Sequence, residues 1–343
     1  MSNTLPPARA TIRDVARIAG MSTASVSRTL KDPDSVRPET RRKVAEAAQS
    51  LGYRLNRMAI DFRTGRSHTI MVLVPNIANP FYSAFFKGIE EAALERGYIV
   101  LIGDTDDDEF RETGYFGMVA SGRCDGLIAH IGKFPSEFAT LIEAGTLGVP
   151  VVSCNPDAGI EVPTVRVDNY QAAQLAAEHL LSLGHRRFGQ VVAFMQYRDS
   201  QTRRTSFVEA ITKAGASWSD EMEIAGDLTI ASGRAAARKL MSSKTKPTAI
   251  FALNDEMAIG VVHELEAMGY RVPQDVSVVG FDDVDIAGAF SPALTTLRVP
   301  RRSWGNAACV KLLDLLDGRS VSADTVLGTE LVIRESTGPA HNR

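Results

Sequence analysis

Residues 11–30 read TIRDVARIAGMSTASVSRTL, and the spacing of their apolar side chains decides the N-terminal fold. Ile12, Val15 and Ile18 recur at helical intervals, Gly20 interrupts, and Val26 and Leu30 resume the period. Ala16 is small where two helices must approach, Gly20 permits a tight turn, and Val26 is placed to lock the second helix on the first. This is the grammar of a helix-turn-helix. Ser22 is placed to cap the second helix, which then offers Thr23, Ala24, Ser25, Ser27 and Arg28 at the end that enters a DNA major groove. Beyond the break at Asp32-Pro33-Asp34, Val44, Ala47, Ala48 and Leu51 define a third helix, with Pro38 in its first turn and Gly52 at its end. Spacing alone would also suit a three-helix bundle of another kind.

Outward from this head the composition divides. Residues 1–10 read as a disordered tail and residues 54–68 (RLNRMAIDFRTGRSH) as a basic linker able to become helical. Residues 1–66 carry a formal charge of +7 and the remainder −10, so only the head is suited to a polyanion. From Thr69 onward, apolar runs alternate with helical stretches: TIMVLV, YIVLIG, DGLIAHI, VPVVSC, FGQVVAF, AIFAL and VSVVGF. Such strands predict parallel sheets covered on both faces, in two lobes with a crossover near TVRVDN (164–169). Cys124, Cys154 and Cys309 are too few and too scattered for a disulfide framework or zinc site, which fits a reducing cytoplasm. No signal-peptide core or membrane-length apolar run is present in the sequence.

The stretch TIRDVARIAGMSTASVSRTLKDPDSVRPETRRKVAEAAQSLGYRLN closely resembles the head of LacI–GalR regulators. The resemblance continues through RTGRSHTIMVLVPNIANPFY, DGLI, LGHRRFG, VPQDVSVVGFDD and SPALTTLRVP, and so covers nearly the whole chain. Passages around 99–104 and 162–169 are most similar to the nucleoside- and sugar-responsive branches. The resemblance implies an all-α helix-turn-helix head plus an α/β two-lobed periplasmic-binding-protein-like domain built of two doubly wound parallel sheets. It implies a tail at 1–10, a DNA-binding head at 11–56, a hinge helix and linker at 57–68, and an effector-binding and dimerisation domain at 69–343. Within that domain the N-lobe is expected at about 69–167 and 299–330, the C-lobe at about 168–298 and 331–343.

Carried over by position, the resemblance makes Thr23, Ala24 and Arg28 base-reading residues, Arg28 with a donor fork suited to guanine. Thr11, Ser22 and Ser25 become phosphate anchors. Phe62 stands where the family has a minor-groove leucine wedge, beside Ile60 and Asp61 where Arg and Ser are usual; an acid there is unfavourable next to DNA. In the body, Arg203, Asn254 and Asp282 are expected to bond effector hydroxyls, Phe81 and Tyr82 to supply ring contacts, and Asn155, at a strand end on the cleft, to join them in binding the effector. Asp255 and Asp283 read as helix caps, His185 as a turn residue, and Leu228 replaces an aromatic ring found in many relatives. GDTDDDE (103–109) mimics a calcium loop but has Glu109 where glycine is required, so it reads as a solvated loop with an Asp cap. Catalytic motifs are missing, and no metal or cofactor is expected. The expected partners are palindromic operator DNA, a sugar-like effector and a second copy of the chain, with no membrane. The alternative is a two-lobed solute receptor without a gene-regulatory role.

Overall fold

The structure, a computed structural model, describes residues 10–54, 65–155 and 160–341. The chain divides into two compact units, 1–67 and 68–343.

In the first unit, α1 (Ile12–Ala19), α2 (Thr23–Lys31) and α3 (Pro38–Ser50) enclose a core of Val15, Ala16, Val26, Val44, Ala47 and Ala48. Thr11 and Asp14 close a capping box at the start of α1, each accepting from the other's backbone N–H. Gly20 ends α1 at φ 65°, a left-handed conformation that glycine adopts without steric cost. Ser22 caps α2 by accepting from the Ser25 N–H at 3.1 Å.

The second unit holds two six-stranded sheets. The first comprises β1 (Thr69–Val74), β2 (Ile99–Asp104), β3 (Gly126–Ala129), β4 (Val151–Ser153), β5 (Thr164–Val167) and β11 (Asp324–Leu327), in the spatial order β11-β5-β4-β3-β1-β2 and wholly parallel. The second comprises β6 (Phe188–Ala193), β7 (Glu223–Gly226), β8 (Ala249–Ala252), β9 (Ser277–Asp282), β10 (Thr295–Arg298) and β12 (Glu330–Val332), in the order β12-β10-β9-β8-β6-β7. All its pairings are parallel except that of β12 with β10, so the second sheet departs from a purely parallel one at its edge.

Strand β1 shows why its sequence is continuously apolar. Ile70, Val72 and Val74 face a core shared with Phe85, Ile89 and Trp304, whereas Met71 and Leu73 face Phe116 and Phe138 on the other side. The first of these faces is covered by α4 (Phe81–Glu95) and the later α12 (Arg301–Leu316). Those two helices meet at backbone distance: a Cβ added to Gly88 would lie 1.9 Å from the Arg302 carbonyl oxygen. The remaining helices are α5 (Glu109–Ala120), α6 (Ser136–Glu143), α7 (Asn169–Ser182), α8 (Arg198–Lys213), α9 (Ile230–Ser242), α10 (Asp255–Ala267) and the short α11 (Asp285–Ala289). The chain passes from one sheet to the other after β5, after β10 and after β11, at strands that lie toward one end of each sheet.

Candidate effector cleft and DNA-reading face

The head exposes Thr23, Ala24 and Arg28 on α2, with Ser25 and the cap Ser22 beside them. Ala24 and Arg28 are one helical turn apart, so they share a face. The hydroxyls of Ser22 and Ser25 lie 2.9 Å apart, and that of Thr11 donates to Asp14 at 2.7 Å. These three residues therefore shape the helix starts as well as presenting polar atoms. Ile60, Asp61 and Phe62 lie outside the described residues.

In the body, Phe81, Tyr82, Asn155, Arg203, Asn254 and Asp282 line one cleft between the two sheets. Its cavity volume is about 80 Å³. Phe81 and Tyr82 enter from the start of α4, and Asn155 from the end of β4. Across from them, Arg203 comes from α8, Asn254 from the end of β8 and Asp282 from the end of β9. The strand ends thus meet at the cleft, as in other open α/β sheets.

Arg203 is held by protein contacts on three sides. Its Nε donates to the Asn169 Oδ1 at 2.6 Å, its Nη1 to the Leu253 carbonyl at 3.1 Å, and its guanidinium stacks 3.7 Å from the Phe281 ring centre. Burial lowers its pKa, while Asp282 and Asp199 oppose that shift. Burial also pushes Asp282 up to about 7 and Asp199 up to about 6, against the pull of Arg203 on both. A buried carboxylate of this kind gains from hydroxyl donors on a ligand. His130 sits against Phe81, Tyr82, Phe85 and Trp304, and burial depresses its pKa to about 3, which keeps it neutral.

Asp282 has φ 113° and Asp283 φ 53°, both costly for residues bearing a Cβ. The surrounding bonds hold them. Arg298 and Arg334 each reach the Asp283 carboxylate at 2.6 Å, and Arg301 donates to the Asp283 carbonyl at 3.0 Å. Burial alone would raise the Asp283 pKa, but the two arginine hydrogen bonds bring it below the usual carboxylate value. Arg301 also approaches the Pro80 and Phe81 carbonyls at 3.4 and 3.5 Å, so it joins the two walls of the cleft.

Several roles differ from those expected. Asp283 is no cap, and neither is Asp255, whose carboxylate accepts from the Val284 N–H and the Thr296 hydroxyl. The cap of α10 is Asn254, whose Oδ1 accepts from the Met257 N–H at 3.0 Å while its Nδ2 donates to the Leu228 carbonyl. His185 is buried and its ring bonds to Thr248, Ser277 and the Gly338 carbonyl, which pins the C-terminal segment to the second sheet. Asp108 caps α5, but its neighbour Asp107 accepts a hydrogen bond from Tyr197 instead of facing only water. His130, Phe194, Tyr197 and Asp199 also line the cleft and were not anticipated. His130 was within reach of the same strand-end rule, because it follows DGLIA, and Asp199 stands one helical turn before Arg203.

The raised pKa of Asp282 has a sign that can be measured. Native Asp282 keeps its proton up to about pH 7, whereas the unfolded group loses it near 3.8. The native state therefore binds more protons between these values, and this residue's contribution to stability declines as pH rises from about 4 to 7. Asp282→Asn should remove that decline: its melting temperature, relative to wild type, rises across this window and levels off above it. A difference that stays flat with pH would show that Asp282 ionises normally.

A helix-turn-helix head on a body with a polar interlobe cleft defines a ligand-responsive DNA-binding protein, and the comparisons agree. Residues 11–56 match the model for bacterial regulatory proteins of the lacI family, and 177–337 that for a periplasmic binding protein-like domain. The chain is 36% identical over 330 residues to the HTH-type transcriptional repressor CytR of Escherichia coli (strain K12), spanning 96% of each protein. It is 30% identical over 318 residues to PurR of Erwinia tasmaniensis, spanning 92% of this chain and 93% of that protein. Among solved structures, it resembles the lac repressor dimer bound to operator and the anti-inducer ONPF (27% identity, TM-score 0.86, 96% of this chain and 100% of that one). It also resembles the transcriptional regulator CelR in complex with cellobiose (30% identity, TM-score 0.74, 96% of this chain and 100% of that one). The chain belongs to the LacI family. It is a DNA-binding transcriptional regulator with an effector-binding domain, not an enzyme, and the reading as a solute receptor without a regulatory role is set aside. Among the described residues no helix is long and apolar enough to cross a membrane.

Proposed function

We propose that this protein is a cytoplasmic homodimeric repressor that binds a palindromic operator through α2 and releases it when a hydroxylated small molecule, a sugar or sugar derivative, enters the cleft. The observation that carries the reading is the convergence of Arg203, Asp282 and Asn254 on one wall with Phe81, Tyr82 and Asn155 on the other. A guanidinium and a carboxylate bond vicinal hydroxyls, and aromatic edges and faces cover the C–H side of a sugar ring. A nucleoside is the second reading, favoured by Phe194 and Tyr197, whose ring centres lie 6.0 Å apart at the same cleft. The solved regulator in complex with cellobiose supports a carbohydrate-like ligand by analogy. Dimerisation is supported by the exposed apolar side chains Ile99, Leu101 and Ile102 on the edge strand β2 and by Phe110, which is 87% exposed on α5.

The roles proposed in the head are testable one by one. Arg28→Ala should weaken operator binding by about 1–3 kcal/mol and relax the preference at one base pair per half-site. Competition among operator variants measures this. An unchanged base preference would reassign Arg28 to the phosphates.

A further inference from the structure

The three passages between the lobes leave β5, β10 and β11, at one end of each sheet, whereas β2 is the outermost strand at the other end of the first sheet. The loop after β2 carries Asp106 and Asp107, both with φ near 50°. Opposite it, the turn after β6 carries Tyr197, which immediately precedes α8, the helix of Arg203. Two hydrogen bonds close this turn: the Tyr197 N–H donates to the Phe194 carbonyl at 2.9 Å, and the Gln201 side-chain amide donates to the Met195 carbonyl at 2.7 Å. Tyr197 is 7% exposed, its ring lies about 3.3 Å from where a Cβ on Gly132 would stand, and its hydroxyl donates to the Asp107 carboxylate. It therefore begins in the lobe of Arg203 and ends on the lobe of Phe81, at the side of the cleft away from the crossovers.

We propose that Tyr197 and Asp107 form a latch across the mouth of the cleft, whose opening gates the passage of ligand and whose closing sets the angle between the lobes. A rotation of the lobes about the crossovers moves the mouth furthest, so one bond there has the greatest leverage on closure. Glycine at 132 leaves the room in which the ring lies, and the left-handed turn at Asp106-Asp107 brings the carboxylate to the phenol. The inference goes beyond the effector reading, and its test uses no effector, so either can fail without the other.

The test is interlobe distance in the ligand-free full-length protein, measured by single-molecule energy transfer with dyes on Glu137→Cys and Lys213→Cys. Both positions are exposed, and the three native cysteines are buried. Tyr197→Phe keeps the ring and deletes only the hydroxyl; it should raise the open population about fivefold or more, as should Asp107→Ala. The double variant should open no further than either single one, because both remove one bond. Asp107→Asn, whose amide oxygen accepts the same hydrogen, should stay closed. Unchanged distance distributions, additive effects in the double variant, or an asparagine that opens the lobes as alanine does would each overturn the latch.

Discussion

A fragment beginning at Thr69 is expected to lose operator binding by three orders of magnitude or more while keeping its ligand affinity. The reasons are electrostatic and geometric together. The segment 1–66 has a charge of +7 and the rest −10, so removing the head leaves a body that a polyanion repels. The exposed Thr23, Ala24 and Arg28, proposed here to read the bases, leave with it. In the full chain the affinity should fall steeply with salt, because each neutralised phosphate releases condensed counterions. Gel-shift titrations of the fragment and the full chain at two salt concentrations read both effects. Operator affinity retained by the fragment would place the DNA site in the body and undo the division of labour.

The second large effect is expected at the cleft. Above pH 7, where Asp282 is ionised, Asp282→Asn should weaken effector binding about 10- to 100-fold, since a hydrogen bond to a charged group is worth about 1.5–3 kcal/mol. Its operator affinity without effector should match that of wild type. Arg203→Ala should also abolish the response, and in addition lower the melting temperature. It leaves Asp199 and Asp282, both buried, without the countercharge they share. Coupling between ligand and DNA sites is reciprocal, so the loss of ligand affinity and the loss of response on DNA must move together. Isothermal titration and operator titration on the same folded protein compare them. Variants that respond like wild type would move the effector site elsewhere.

Much of this was legible in the chain itself, for reasons that differ by element. The head announces itself because Val15, Ala16, Val26, Val44 and Ala47 must all be apolar or small to close so small a core. The central strands are legible because both faces are buried, which leaves runs such as TIMVLV. The edge strands β7, β11 and β12 carry Glu223, Asp324 and Glu330 and are partly exposed, so their apolar signal is weak. At the cleft, residues at strand ends could be anticipated, because the topology directs them there. Arg301, Tyr197 and Asp107 could not. Their roles arise from bonds between segments 90 to 221 residues apart, and nothing local in RRSW, QYRD or DTDD encodes the partner. The exchange of roles between Asn254 and Asp255 has a similar origin. Either side chain could cap α10, and the buried Thr296 hydroxyl claims Asp255.

The central claim is that occupancy of the cleft controls DNA binding. A thermal-shift screen of sugars, sugar phosphates, polyols and nucleosides against the full chain selects the compound that most raises the melting temperature. The decisive measurement is the operator dissociation constant, by fluorescence anisotropy, with and without that compound at saturation. A weakening of about tenfold or more is expected, matched by an equal loss of ligand affinity when the protein is held on operator. A compound that binds the cleft tightly and leaves operator affinity unchanged would contradict it.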